Sequence, residues 1–322
     1  MRFIKIRNVK YVFPIIFLLA LLNCNSDLST LSVEKRTTTI PVPDNNTIVL
    51  LIRLPNIGQA VGTTYDYKNF YTLTCIPYVL FVDWSPDKQW LVYIQTLQEK
   101  GELVKEVWRM KYDGSDKKIL SKNEKYCFSP RFSPSGSKIM FTAHENNIDK
   151  ITTKIITCDI FGNQYNEIFI SEQLPENCSA WGQCWKTDDD ILFTYYDEHT
   201  ISPHVGLINI VSKKISYITY LDTLDPYIIQ WSPVRDEMAF VGKGYPGTQV
   251  WAINGDGTNL RKLSDCFLAN APDWSSDGEK VIFSQLTNGF EDNYTVWVVN
   301  RDGTNLHQLL KKNGFDLVDP AW

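Results

Sequence analysis

At 322 residues the chain is long enough for one large β domain or two ordinary ones. Its 43% hydrophobic and 21% charged residues exclude general disorder, and 13% aromatic residues favour strands over helical bundles. A formal net charge of -5 argues against nucleic acid as a partner, because neutralising phosphates takes a basic face.

The chain opens with Arg2, Lys5, Arg7 and Lys10, followed by an apolar run from Val12 to Leu22 that only Pro14 interrupts. That run is too short for the ~20 residues of a membrane-spanning helix and has the length of a secretory signal's apolar region. Residues 1–23 therefore read as an export signal, and without their four basic side chains the balance is 28 Lys+Arg to 37 Asp+Glu. Next comes "LLNCNS", which resembles the lipobox of bacterial lipoproteins, although Asn23 stands where Gly or Ala is usual. The resemblance implies acylation of Cys24 and anchoring to a cell-envelope membrane through lipid rather than through a helix. An ordinary signal peptide with a nearby cysteine is the alternative. Residues 24–45 are polar and rich in Ser and Thr, as expected of a tether, and 46–322 are expected to form the folded domain.

From there the chain repeats itself. "FVDWSPDKQWLVYIQ", "SPRFSPSGSKIMFTA", "GQCWKTDDDILFTYY", "IIQWSPVRDEMAFVG" and "APDWSSDGEKVIFSQ" place an aromatic at Trp84, Phe132, Trp185, Trp231 and Trp274, and "VDPAW" adds Trp322. The spacings of 48, 53, 46, 43 and 48 residues suit a four-stranded unit. Each aromatic ends an inner strand, Ser-Pro-Asp or Ser-Ser-Asp-Gly makes a tight turn, and "KVIF" or "EMAF" alternates as a second strand. Trp108, Trp251 and Trp297 lead third strands that reach an Asp-Gly hairpin and return as a fourth.

These phrases resemble the β-propeller repeats of the TolB type, over about residues 70–322. The resemblance implies an all-β ring of six four-stranded blades, and TolB-like propellers serve as partner-binding modules in the cell envelope. The sequence before residue 46 leaves no room for TolB's additional N-terminal α/β domain, so a role in the same envelope machine is not expected. Because Trp322 only begins a sixth blade, strands from the N-terminal side, "TIVLLIRL" and "KNFYTLTC", are expected to complete it and close the ring. Closure removes sheet edges that would otherwise pair with other chains.

In such a ring the connections between blades gather on one face. They carry Tyr78, Tyr126, Trp181, Tyr227, Phe267 and Phe315, residue types that anchor protein interfaces, so this face is the expected contact surface for a protein, peptide or glycan. Packing of these rings inward against neighbouring blades is the competing expectation for each. Asp83, Asp225, Asp273 and Asp319 precede the repeat aromatics and are the candidates for the channel mouth, where a propeller hydrolase or lyase acting on a glycan or peptide would keep its carboxylates. A ring that merely spaces or shields something at the membrane is a third possibility.

Other signals are weaker. The Gly-x-Ser-x-Gly elbow of serine hydrolases is missing, so catalysis is not expected. His199 and His204, with Asp197 or Glu198, could hold a metal but read more simply as loop histidines. The turns at Asn254–Asn259 and Asn300–Asn305 offer oxygen ligands yet lack the distal Glu of a calcium loop, and Asp188–Asp190 form an exposed acidic turn. No cofactor or metal is expected. Cys75, Cys127, Cys158, Cys178, Cys184 and Cys266 could form disulfides after export, with Cys178–Cys184 the first pair expected.

Overall fold

The computed structural model describes residues 40–54, 58–67, 70–76, 79–99, 101–146, 151–169, 174, 178–196, 203–218, 221, 224–244, 247–265, 268–286, 293–311 and 315–322. Cys24, Tyr78, His199, Cys266 and Phe267 lie outside the described residues.

The first strands are β1 (Ile48–Leu54), β2 (Gly58–Thr64) and β3 (Tyr71–Ile76). Five successive sets of four follow. The first sheet holds β4 (Val79–Trp84), β5 (Trp90–Glu99), β6 (Glu102–Lys111) and β7 (Lys118–Ile119). The second holds β8 (Cys127–Phe132), β9 (Ile139–Asn146), β10 (Ile151–Cys158) and β11 (Asn166–Phe169). The third holds β12 (Ser179–Trp185), β13 (Asp190–Tyr196), β14 (His204–Asn209) and β15 (Ile215–Ile218). The fourth holds β16 (Ile229–Trp231), β17 (Glu237–Lys243), β18 (Thr248–Asn254) and β19 (Arg261–Lys262). The fifth holds β20 (Leu268–Trp274), β21 (Lys280–Leu286), β22 (Thr295–Asn300) and β23 (His307–Leu310). A single parallel pair, Thr248 with Leu268, joins the fourth sheet to the fifth.

The last strand, β24 (Asp316–Ala321), pairs antiparallel with β1 and makes the closing sheet β24-β1-β2-β3. Its register matches Val49 to Ala321, Leu51 to Val318 and Ile52 to Leu317. The expected joining of the two ends of the domain is therefore present. The inner strands β4, β8, β12, β16, β20 and β24 touch in that order, and β24 touches β4 again, so the sheets encircle a common channel.

Six hydrophobic clusters hold the ring, one between each pair of neighbouring sheets. Val49 and Leu51 face Val82, Trp84 and Tyr93 of the first sheet, whereas Ile48, Leu50 and Ile52 face Ile282, Val296 and Leu310 of the fifth. One strand thus buries both faces, which is why "IVLLI" is continuously apolar. The second strands follow the same rule: Glu237–Val241 and Val281–Leu286 are buried without interruption, not alternately as the sequence suggested. A strand sandwiched between neighbours has no solvent face.

The repeated turn has a hydrogen-bond explanation. The Ser85 N–H donates to the Trp90 carbonyl at 2.9 Å, and the Ser85 hydroxyl receives the Trp90 N–H at 2.9 Å. Ser133 with Lys138 and Ser275 with Lys280 repeat both bonds. The fourth turn position is left-handed, at φ 72° for Gly136 and 68° for Gly278, where glycine costs least. Lys88 takes that position at φ 58°.

The turns after the aromatics and the hairpins between third and fourth strands lie at one end of the ring, the turn face. The connections between sheets lie at the other, the connection face, because the four strands of each sheet alternate in direction. The expected Cys178–Cys184 disulfide is not formed, and both side chains are buried. Cys178 packs with Met140 and Ile155 between the second and third sheets, while Cys184 packs with Leu192 and Phe240 between the third and fourth. Opposite faces of one sheet cannot be bridged.

Candidate functional site

Inside the channel, four inner strands share an irregularity. Phe81, Ser129, Ala271 and Asp319, each three residues before a repeat aromatic, have left-handed φ values of 50°, 48°, 47° and 49°. Register shifts fall at or beside these points in β4, β8 and β20. Such bulges re-aim the residues that follow at a cost of about 1–3 kcal/mol each.

Two residues on stands an aspartate in β4 and β20 and Arg131 in β8, and in β24 the left-handed residue is itself Asp319. Asp83 Oδ2 accepts the Phe132 N–H at 2.9 Å, and Asp273 Oδ2 accepts the Trp322 N–H at 2.8 Å. Asp319 receives the Phe81 N–H. Gln183 Oε1 accepts the Ile229 N–H at 3.4 Å in the same manner. Trp185 and Trp274 return the favour, donating their indole N–H to the carbonyls of Arg131 at 3.2 Å and Gln230 at 3.1 Å. Each inner strand is thus tied to the next by channel-side bonds as well as by the apolar clusters.

Arg131 acts on all three aspartates, Lys88 on Asp83 and Asp273, and Arg53 on Asp319. Burial raises all three carboxyl groups above their ordinary range, Asp273 to about 6 with the Asp83 carboxylate adding to the rise, while Arg131 pulls Asp83 and Asp273 back and Arg53, then Arg131, pulls Asp319 back. Burial lowers Lys88 to about 8, opposed by Asp273, Asp83 and Asp44. Arg131, Gln230, Asp273 and Asp319 line a small pocket in the channel. Asp225, placed with these by its sequence position, stands elsewhere: its carboxylate pairs with Lys243 at 3.4 Å beside Tyr227. Because the channel carboxylates already serve backbone N–H groups, their geometry joins sheets. No metal-holding group of three His, Cys, Asp or Glu occurs among the described residues.

The connection face is built differently. Phe128 lies 4.9 Å from His144, His144 lies 5.5 Å from Trp181, and Trp181 meets Tyr196 edge-on at 5.4 Å. This row crosses from the second sheet to the third, and Tyr227 of the fourth stands near Tyr196. All five side chains are partly exposed. Burial lowers the His144 pKa, and its neutral ring donates from Nε2 to the Ala180 carbonyl at 3.1 Å. Lys105 places its ammonium 4.4 Å from the Phe128 ring centre. Tyr126 supplies backbone: its carbonyl receives the His144 N–H at 3.0 Å.

Of the aromatics named from sequence, Tyr126, Trp181 and Tyr227 fall in this region. Phe315 packs against the cluster between the fifth and closing sheets. Phe128, His144 and Tyr196 were not singled out; Phe128 shares its connection with Tyr126 and could have been. The remaining weak signals resolve into local bonding. His204 stacks on Tyr195 at 5.1 Å. Asp256 and Asp302 each accept the N–H and hydroxyl of Thr258 and Thr304 within their hairpins. Asp188 accepts the Ser135 N–H at 3.0 Å and Asp189 pairs with Lys138 at 2.9 Å, so the acidic turn links two sheets.

A ring of radial four-stranded sheets around a channel, closed by strands from both ends of the domain, is a β-propeller. The chain belongs to the family described as the TolB beta propeller domain, whose model matches residues 64–322. No curated protein sequence matches the chain. Among solved structures, TolB from Acinetobacter baumannii is similar at 16% identity and a TM-score of 0.68, covering 87% of this chain and 68% of that one. A chain in a nidogen/laminin complex is similar at 11% identity and a TM-score of 0.62, covering 85% and 97%. The propeller domain of the trilobed protease from Pyrococcus furiosus, described as an open velcro topology, is similar at 12% identity and a TM-score of 0.53, covering 85% and 98%. Identities this low speak to the fold alone.

Proposed function

We propose that this TolB-type propeller is a non-catalytic cell-envelope lipoprotein, anchored through Cys24, that binds a protein partner by its connection face. The observation that carries the reading is the row Phe128–His144–Trp181–Tyr196, a run of partly exposed rings spanning two sheets and continued by Tyr227 on a third. Rings held by one another lose little freedom on binding, and aromatic side chains of this kind carry most of the energy of protein interfaces. Lys105 at one end and the Asp225–Lys243 pair at the other supply charge at the rim. The resemblance to TolB supports an envelope setting and a partner that is a protein.

The alternative, a hydrolase or lyase at the channel, needs carboxylates free to exchange protons with a substrate. Asp83, Asp273 and Asp319 are each engaged by a backbone N–H of the neighbouring sheet, which favours a structural role.

Affinity capture from solubilised envelopes tests the proposal, comparing the intact protein with a Trp181→Ala, Tyr227→Ala variant. A partner retained by the first should be recovered at least ~30-fold less by the second, as the loss of an interface anchor worth about 2 kcal/mol implies. Equal recoveries would remove the connection face as the binding surface.

A further inference from the structure

Asp83, Arg131, Gln230 and Asp273 take the same place in β4, β8, β16 and β20, one residue before the repeat aromatic. The two aspartates each give an oxygen to the backbone of the next inner strand. Arg131 and Gln230 carry more hydrogen-bonding capacity than the protein uses. Arg131 Nη1 reaches only the carbonyls of Val82 at 3.5 Å and Pro130 at 3.4 Å, beyond the roughly 3.2 Å of an ordinary N–H···O bond. Its Nε is buried without a partner, and none of its bonds is to a carboxylate. Gln230 is 8% exposed; its backbone carbonyl takes the Trp274 indole, while its side-chain amide finds no hydrogen-bond partner among the described residues. Leaving such groups unpaired in a buried setting is costly.

The small channel pocket collects these groups. Arg131, Gln230, Asp273 and Asp319 line it between the walls of Ala271, Pro272 and Pro320, and the two prolines have no N–H to offer a ligand. Donors therefore come from Arg131 and Gln230. Asp273 supplies an acceptor, because Oδ2 serves the Trp322 N–H and Oδ1 has no partner among the described residues. The surrounding charges cancel, with Asp83, Asp273 and Asp319 set against Arg131, Lys88 and Arg53. A ligand of one sign would upset that balance where charge is expensive to bury, whereas one charge of each sign keeps it. Ile228 lines the pocket one residue after Tyr227, which places it toward the connection face.

We propose that this pocket binds a small zwitterion, a free α-amino acid of the size of glycine or alanine, with its carboxylate on Arg131 and Gln230 and its ammonium on Asp273 and Asp319. The planar guanidinium suits a carboxylate, and charge-assisted bonds of this kind are the strong ones. Burial raises the aspartate carboxyls, and an incoming ammonium offsets that rise. Alanine and proline walls restrict the ligand's side chain. The inference goes beyond the proposed function and holds with or without a protein on the connection face.

Equilibrium dialysis of the full chain with radiolabelled glycine decides it, with unlabelled acetate, methylammonium, alanine and phenylalanine as competitors. Alanine should compete about as well as glycine and phenylalanine should not compete. Acetate and methylammonium should each be at least ~10-fold weaker, since a hydrogen-bonded charge is worth about that factor or more. Gln230→Leu breaks no bond within the protein, so it should melt as the parent does and bind glycine roughly tenfold more weakly. Arg131→Met should abolish binding. No retention of glycine, or a Gln230→Leu variant that binds as the parent does, would overturn the site. Acetate or methylammonium competing as well as glycine would overturn the zwitterion.

Discussion

The Asp273 carboxylate accepts the backbone N–H of Trp322 at 2.8 Å and so ties the inner strand of the fifth sheet to that of the closing sheet. Asp83 makes the same bond to Phe132 at 2.9 Å one junction beyond the closure. Between them Asp319 of β24 takes the Phe81 N–H of β4. Three consecutive junctions, centred on the place where the two ends of the domain meet, thus share one device.

Replacing Asp273 by Ala leaves the Trp322 N–H without its acceptor and should cost about 1–3 kcal/mol. Asn retains a carbonyl at that point and should cost less. Denaturant midpoints of the two variants would show the order; Ala and Asn behaving alike would mean that the bond contributes nothing to closure.

The same carboxylate sets a pH dependence. With its pKa raised by burial to about 6, folded Asp273 holds a proton that the unfolded chain releases near pH 4. Its contribution to stability is greatest below pH 4 and falls as pH rises through about 6. The neutral Asp273→Asn variant should therefore gain about 1 kcal/mol on the parent protein between pH 5 and pH 7.5. A stability difference that does not change with pH would assign the carboxyl an ordinary titration. Lys88 and Arg131, the cations facing it, are unchanged in the comparison.

Deleting Phe315–Trp322 removes Leu317 from one inter-sheet cluster and Val318 and Ala321 from another, and leaves β1 paired on one side alone, with β2. Burial of the two larger side chains alone is worth on the order of 3–6 kcal/mol, comparable with a domain's whole stability. The truncated chain should lose its cooperative thermal transition in calorimetry. An unaltered transition would show that the ring does not need its last strand.

Gly206 offers a test of packing with no functional overlay. A Cβ there would overlap the Phe193 ring, which is fully buried between the second and third sheets. Gly206→Ala should destabilise by about 1–3 kcal/mol, the usual penalty for overfilling a packed interior. A neutral effect in chemical denaturation would mean that the ring can move aside.

The repeat, the turns and the closure are legible in the sequence because they rest on local chemistry: a serine that bonds across its own turn, an aromatic at the end of each inner strand, and an apolar run at Ile48–Ile52 ahead of the first repeat phrase, matched by a last phrase that stops at its aromatic. The sequence also singled out Asp83, Asp273 and Asp319 from their places before the aromatics. The folding, and no local signal, places Asp225, six residues before Trp231, with Lys243 and not with the channel. The same holds for Cys178 and Cys184, close in sequence yet on opposite faces of one sheet. His144 and Tyr196 meet Trp181 across a junction between sheets, where no spacing along the chain records who faces whom. Periodicity encodes which face of a strand is apolar; the neighbour that face meets is chosen by how the sheets stack around the ring.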